Sequence, residues 1–378
     1  MADMKVVHIV EALLRNSGVG VFVAELASAQ TRALHRAAIL CRWYPECEAD
    51  ERVDYRTDPH LREFRGLCDG DAIVHVHAIW AWYTLRALLC CWRQRVAYVV
   101  SPHGGLMPRV FQHGRLKKWI FWHFFLKSLV RRAVAIHCTG ETEAAAVRRL
   151  LGERCPMIVI APLGVHLPEL REKPKKEVKT VLFLGRLGEE KGLVQLLDAW
   201  NQVRIEGWRL VIAGPDWEGH QQVLFSHCRS LHIPYTTSPS FEPQTSRLSN
   251  LQAFLPVCFP GPADPVQKDV LYRSADIFVL PSPMENFSHV VVEALSYGIP
   301  VIATKGTPWR ELESEHCGCW IDQGVGPLVT ALSRLMAMGY EVRAAMGMRG
   351  RKLTEGKYRW DAVSEVLDVA YQYCVKSK

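Results

Sequence analysis

Short apolar runs alternate with stretches of helical period along this chain, in two series on either side of a proline- and charge-rich segment. That alternation constrains the fold more than any other feature, because strand–helix repeats build parallel sheets covered by helices on both faces. Residues 6–10, 72–77, 96–100 and 135–138 read as strands, and 21–34, 82–93, 115–132 and 141–151 as helices. A second series opens with strand 180–184 and helix 193–200 and continues through strands 209–213, 276–280 and 301–303. Between them, Pro162 to Lys179 contains Arg171-Glu-Lys-Pro-Lys-Lys-Glu177 and reads as a linker. The expected fold class is α/β, with two doubly wound domains facing each other across a cleft. Their expected bounds are residues 1–165 and 180–355, with a linker at 166–179. A last helix near 360–373, inside residues 356–378, is expected to pack back on the first domain. Residues 234–256 show no clear period and read as a surface insertion.

The densest local pattern is Ala275-Asp-Ile-Phe-Val-Leu-Pro-Ser282, then Pro283-Met-Glu-Asn-Phe-Ser288, then His289-Val-Val-Val-Glu-Ala-Leu-Ser-Tyr-Gly298. The apolar run before Pro281 reads as a buried parallel strand. Ser288 can serve as N-cap, and Gly298 with Pro300 supplies a stop. Glu285 then lies in the loop at the carboxyl end of a strand, where open α/β sheets bind ligands. Glu293 lies about one turn into the next helix, whose first amides can hold a phosphate. Two carboxylates flanking an anion site suit a polyhydroxylated, phosphorylated ligand such as a sugar nucleotide.

Leu184-Gly-Arg-Leu-Gly-Glu-Glu-Lys-Gly192 follows the first strand of the second series. Arg186 leaves the strand end, and Lys191 is read in the first helical turn, where a lysine opposes the helix dipole at ~0.3–1 kcal/mol. Either an anionic ligand is held there by Arg186 and Lys191, or Lys191 pairs locally with Glu189 or Glu190. Asn16-Ser-Gly-Val-Gly20 opens the first helix, and Gly18 and Gly20 let backbone approach a ligand or simply make a tight turn. Two glycines are too few for a dinucleotide fingerprint. Ser101-Pro-His-Gly-Gly105 ends a strand on the ligand-facing edge and makes His103 a candidate substrate contact. His75 and His77, alternating with Val74 and Val76, are read as structural.

With 378 residues, 49% apolar and 22% charged, the chain has the composition of an ordinary globular protein. Its net charge of +7 favours acidic partners such as phosphates, nucleotides or an anionic membrane. The basic residues are not gathered into an arm, so no nucleic acid partner is expected. Twelve cysteines without a Cys-x-x-Cys read as reduced, buried thiols. No paired Cys/His signature occurs, and no metal or bound cofactor is expected. Glu11 comes too early for a signal peptide, and no run reaches ~18 uncharged apolar residues, so a cytoplasmic chain is expected. Arg115 to Arg132 is basic and aromatic. It suits either an anionic membrane surface or an amphipathic core helix with a solvated face.

Together the segment 184–192, the Glu-Asn-Phe-Ser…Glu-Ala-Leu-Ser-Tyr-Gly-Ile-Pro-Val-Ile-Ala-Thr stretch and the Gly18/Gly20 turn resemble retaining glycosyltransferases of family 4 with the GT-B fold. Ser-Pro-His-Gly-Gly-Leu and Thr304-Lys-Gly-Thr-Pro-Trp309 resemble the subset of bacterial exopolysaccharide and lipopolysaccharide gene clusters. The resemblance implies a hexosyl transfer from a nucleotide-diphosphate sugar to a glycan or lipid-linked glycan, by front-face substitution and with no divalent metal. It further implies that Arg186 and Lys191 neutralise the diphosphate, Glu293 holds the ribose hydroxyls and Glu285 a sugar hydroxyl. Amides of Asn286, Phe287 and Ser288 would complete that pocket, with Gly18 and Gly20 counted among the donor-binding positions. His103 and Glu285 would be the catalytic pair, His103 touching sugar or phosphate from the opposite domain. Rival readings are a nucleotide-sugar epimerase or a phosphorylase of the same fold, and a non-catalytic sugar-nucleotide-binding subunit. A thermal-shift screen and measured turnover separate them.

Overall fold

The computed structural model describes the chain except residues 1–3, 15–16, 34–35, 44–49, 69–71, 112–114, 172–176, 238–255 and 377–378. Two compact units emerge: Met1–Gly164 with Lys357–Lys378, and Val165–Gly356.

The first unit holds strands β1 (Lys5–Val10), β2 (Arg36–Cys41), β3 (Asp54–Thr57), β4 (Ile73–His77), β5 (Tyr98–Ser101), β6 (Ala135–Cys138) and β7 (Met157–Ile160). Their order across the sheet is β3-β2-β1-β4-β5-β6-β7, and every pairing is parallel. Strands β1, β2, β4, β5 and β6 are buried on both faces, as their near-continuous apolar runs require. One face packs Val7, Ile9, Val74, Val76, Val100 and Ile136 against Tyr83, Leu88 and Trp122. The other packs Val6, Val10, Ile73 and Val99 against Phe22, Leu26 and the last helix, Trp360–Lys376. That helix presents Trp360, Val363, Leu367, Tyr371 and Cys374 at helical spacing to this face, so it belongs to the first unit. A Cβ on Gly164 would meet the Trp360 ring at 2.3 Å, which leaves room there for glycine alone.

The second unit repeats the plan with β8 (Lys179–Leu184), β9 (Trp208–Ala213), β10 (Tyr235–Thr236), β11 (Val257–Gly261), β12 (Ile277–Leu280), β13 (Val301–Thr304) and β14 (Gly318–Ile321). The order is β10-β11-β9-β8-β12-β13-β14, again parallel throughout. In each sheet the chain reverses direction of build beside its first strand, between β1 and β4 and between β8 and β12. Those are the switch points where loops at the carboxyl ends diverge and open a ligand site.

Strands β2, β3, β7, β10, β11 and β14 escape the sequence reading because they are short or lack alternation. Most of the expected insertion at 234–256 lies outside the described residues, as do linker residues 172–176 and Asn16. The described start of the linker is not loose chain: Arg351 donates to the Pro168 carbonyl (2.9 Å) and Arg273 to that of Glu169 (3.0 Å).

The basic aromatic segment is helical over Arg115–Phe121, widens into a π turn over Trp122–Leu126 and continues to Val130. Trp122, Leu126, Leu129 and Val130 enter the core. Leu116, Trp119, Ile120, Phe124 and Phe125 stay exposed, Leu116 at 71% and Phe124 at 72%. No helix of the described residues is long and apolar enough to cross a membrane.

Replacing Trp360 with alanine empties a site that closes the first unit, where its ring lies 5.6 Å from that of Phe22. Urea unfolding of Trp360→Ala should show the first unit destabilised by about 3–5 kcal/mol, the usual cost of deleting a buried indole. A loss below ~1 kcal/mol would mean that the last helix contributes little to that unit.

Candidate functional site

In the second unit the candidate residues come from two neighbouring loops at the switch point. The loop after β8 turns through Gly185 and Gly192, whose φ of +69° suits glycine, and a Cβ on Gly192 would sit 2.5 Å from the Pro281 carbonyl. Glycine thus lets this loop lie directly on the end of β12. Lys191 falls in a short 3₁₀ turn, Glu189–Lys191, and the following helix begins only at Leu193. The expected placement in the first helical turn, with its dipole penalty, is therefore corrected.

Lys191 does not pair with Glu189 or Glu190. Its Nζ meets Glu285 Oε1 at 2.5 Å, and both side chains are only 15% exposed. Arg186 instead faces Glu190 at 3.6 Å and lies over the Trp217 ring, 4.5 Å from its centroid.

Glu285 is held by the chain after β13. Its amide donates to the Gly306 carbonyl (2.9 Å), Gln323 Nε2 donates to the Pro283 carbonyl (2.7 Å), and Trp309 Nε1 donates to that of Phe287 (2.5 Å). A Cβ on Gly306 would collide with the Pro283 carbonyl at 1.9 Å. The Thr304–Trp309 motif therefore clamps the Glu285 loop from behind.

Ser288 stands at the start of the helix His289–Ser296 but does not cap it; it adopts φ +67° and its side chain accepts no amide hydrogen bond. This corrects the N-cap expectation. The strained backbone turns a buried Oγ inward with no hydrogen-bond partner among the described residues, and Ser282 Oγ is in the same condition. Glu293 accepts from the Tyr272 hydroxyl (2.6 Å) and faces His289 Nδ1 at 3.5 Å. Burial alone would raise its carboxyl, but His289, Lys268 and the Tyr272 hydrogen bond outweigh it and hold it at about 2.

In the first unit, Ser17 caps the helix Gly18–Arg32 through the Gly20 amide (3.4 Å). A Cβ on Gly20 would lie 2.8 Å from the Leu14 amide, so this glycine serves its own turn, whereas Gly18 borders open space. His103, with φ +51°, and Gly104, with φ +77°, make a left-handed bend after β5. The buried Glu143 carboxylate fixes it, accepting from the Gly104 amide (2.5 Å) and the Thr139 amide (2.9 Å). His103 is half-buried, its basicity lowered to about 3 by burial and by His137. Its Nε2 lies 3.1 Å from His77 Nδ1.

Glu143, Tyr272 and the hydrogen-bonded set around His8, Gln30, Ser101, His137 and Tyr371 are absent from the sequence reading. Two histidines alternating on β4 were the one available signal for that set.

Two family profiles cover the two units: "Glycosyl transferase 4-like domain" over residues 17–164 and "Glycosyl transferases group 1" over 168–353. The chain belongs to the GT-B glycosyltransferases of the family 4 type. It is 30% identical over 283 residues to a phosphatidyl-myo-inositol mannosyltransferase of Mycobacterium leprae, covering 69% of this chain and 63% of that one. It is 22% identical to the GDP-mannose:cellobiosyl-diphosphopolyprenol alpha-mannosyltransferase of Xanthomonas campestris, over 70% of this chain and 64% of that one. The chain thus spans just under two-thirds of the length of these relatives. The solved structure of Anabaena Alr3699/HepE in complex with UDP and glucose shares the fold, with a TM-score of 0.69 at 15% identity over 98% of this chain and 100% of that one.

The depressed Glu293 carboxyl contributes stability that is present above about pH 4.5 and is lost as pH falls towards 2. Wild type should therefore lose more stability than Glu293→Gln between those values, read by chemical denaturation at each pH. Parallel losses would show that Glu293 is not held ionised by its neighbours.

Proposed function

We propose that this chain transfers a hexosyl group, with retention, from a nucleotide-diphosphate sugar to a glycan or lipid-linked glycan acceptor in the assembly of a cell-surface polysaccharide. The observation that carries this reading is the Lys191–Glu285 pair, which puts a cation and a carboxylate at 2.5 Å on adjoining loops at the switch point. A lysine has three N–H donors, and Glu285 takes one. The other two suit a diphosphate, while the second Glu285 oxygen suits a sugar hydroxyl. Glu293, held ionised, suits the vicinal hydroxyls of a ribose. Amides of Asn286, Phe287 and Ser288 fit a polar ligand. In the first unit His103 is assigned the contact to sugar or phosphate, and Gly18 leaves backbone open to a ligand.

In the reaction the bond from the anomeric carbon to the diphosphate breaks, and its electron pair goes to the phosphate oxygen. Arg186 and Lys191 would stabilise that charge in place of a divalent metal. The acceptor hydroxyl attacks from the same face and passes its proton to the leaving oxygen. A nucleotide-sugar donor accords with the UDP bound by the Anabaena protein, and a lipid-linked acceptor with the diphosphopolyprenol substrate of the Xanthomonas relative.

Peripheral binding to the inner face of the cytoplasmic membrane is proposed for the helix that starts at Arg115. Its stripe of Leu116, Trp119, Ile120, Phe124 and Phe125 is uncovered beside exposed Lys117. Each cation near an anionic leaflet adds about 1 kcal/mol.

A thermal-shift screen of nucleotide-sugars should find a stabilising donor. With it, Arg186→Ala and Lys191→Ala should each lower the rate ~10²–10³-fold, Glu293→Ala should mainly raise KM for the donor, and Glu285→Gln should mainly lower kcat. Wild-type rates in all four would overturn the assignment, and activity lost to chelator and restored by manganese would overturn the metal-free mechanism. Co-sedimentation should show binding to anionic vesicles that falls with salt and in Lys117→Glu/Lys118→Glu; equal binding to neutral vesicles, or none, would return the helix to a purely structural role.

A further inference from the structure

One face of the first sheet carries four buried histidines among its apolar side chains: His8 on β1, His75 and His77 on β4, and His137 on β6. They form two hydrogen-bonded chains. One runs from Gln30 Oε1 to His8 Nε2 (2.7 Å), from His8 Nδ1 to His77 Nε2 (2.9 Å), and from His77 Nδ1 to His103 Nε2 (3.1 Å). The other links Tyr371 Oη to His75 Nδ1 (2.6 Å), His75 Nε2 to Ser101 Oγ (2.5 Å) and Ser101 Oγ to His137 Nδ1 (2.6 Å). It ends where His137 Nε2 meets the Ala161 carbonyl (2.8 Å).

A neutral imidazole donates through one nitrogen and accepts through the other, so one fixed end orients a whole chain. The second chain ends on a backbone carbonyl, which only accepts. His137 therefore donates to Ala161, Ser101 to His137, His75 to Ser101, and the Tyr371 hydroxyl to His75. With its proton committed, the Tyr371 oxygen can act on a neighbour only as an acceptor. The first chain ends in the same way, on an oxygen that only accepts: Gln30 presents Oε1 to His8 Nε2 at 2.7 Å, while its Nε2 makes no hydrogen bond among the described residues. His8 then donates to Gln30, His77 to His8, and His103 to His77, each through Nε2–H.

We propose that Gln30, His8 and His77 are positioning residues that hold His103 in a single tautomer with its proton on Nε2, so that Nδ1 offers a lone pair to a ligand hydroxyl rather than an N–H to a phosphate oxygen. His103 makes no other side-chain hydrogen bond among the described residues, and its ring is partly open. Burial lowers His8 to about 4 and pushes His75 and His77 well below the ordinary histidine value. All the rings are thus neutral, as a donor–acceptor chain requires. Ring nitrogens of His8, His75 and His77 also lie within 4.8 Å of one another, the spacing of a metal site. Both His75 nitrogens are already engaged by Tyr371 and Ser101, which favours the relay.

Only the kinetic arm of the test rests on the transferase reading. Nitrogen-15 labelling of histidine in the full chain reports tautomers directly, with His103→Gln identifying the His103 signals. Wild type should show protonated Nε2 and unprotonated Nδ1 at His103. Gln30→Met should mix or invert that state, whereas Phe22→Leu should not. Phe22 packs 5.1 Å from the His103 ring without joining the chain, and so controls for packing alone. With a donor in hand, Gln30→Met should lower kcat about 10–100-fold, the usual effect of removing a partner that orients an imidazole, and change donor KM less. Three results would overturn the relay: Nδ1 protonated in wild type, equal tautomer changes in both variants, or one zinc per chain that His8→Asn abolishes. The wild-type spectrum decides even if Gln30→Met does not fold. Tautomers as expected in a protein that turns over no donor would uphold the relay and defeat the transferase reading instead.

Discussion

The contact between Lys191 and Glu285 organises the second unit. It joins the loop leaving β8 to the loop leaving β12, the adjacent strands at which that sheet changes its direction of build. Both partners are largely withdrawn from water, so the cost of desolvating them must be offset by close geometry. Everything around the pair serves that geometry. Gly192 lets one loop rest on Pro281, and Gly306 and Trp309 hold the other from behind. The two loops are therefore fixed against each other by contacts within the unit itself.

The two units bury polarity by opposite means. In the second, charge is kept and paired: Lys191 with Glu285, and Glu293 with His289 and Tyr272. In the first, the polar layer is neutral, because several imidazoles packed within hydrogen-bond distance cannot all carry protons in a low dielectric. Each ring accepts what its neighbour donates, and the layer ends on groups that can only accept or that a neighbour orients. Among the buried carboxylates of this unit, Glu143 is satisfied by the Gly104 amide of the bend that carries His103 and by the Thr139 amide after β6. The strained φ of His103 persists because that carboxylate and the relay hold it from two sides.

The helix beginning at Arg115 shows how a single segment divides between core and surface. A π turn over Trp122–Leu126 interrupts the helix; Trp122, Leu126, Leu129 and Val130 share the core face, while Phe124, Phe125 and Trp119 stay exposed. Basic and aromatic composition was legible in the sequence; which aromatics are covered was not.

The α/β class, the two series of strands and helices, and the Glu285, Glu293, Arg186 and Lys191 loops were determined by the sequence itself. Apolar runs, glycines and prolines act locally, and parallel sheets then place those loops at one edge. Pairing was decided only by the tertiary structure. Lys191 lies 94 residues from its partner Glu285, and no local pattern distinguishes that partner from Glu189 or Glu190. The same holds for His75 and His77, which read as structural histidines on a strand until His8 and Tyr371 are brought to them from 69 and 296 residues away, with Gln30 behind His8. A hydrogen bond depends on which atoms face each other across packed elements, and that is settled when the sheet face and its covering helices meet.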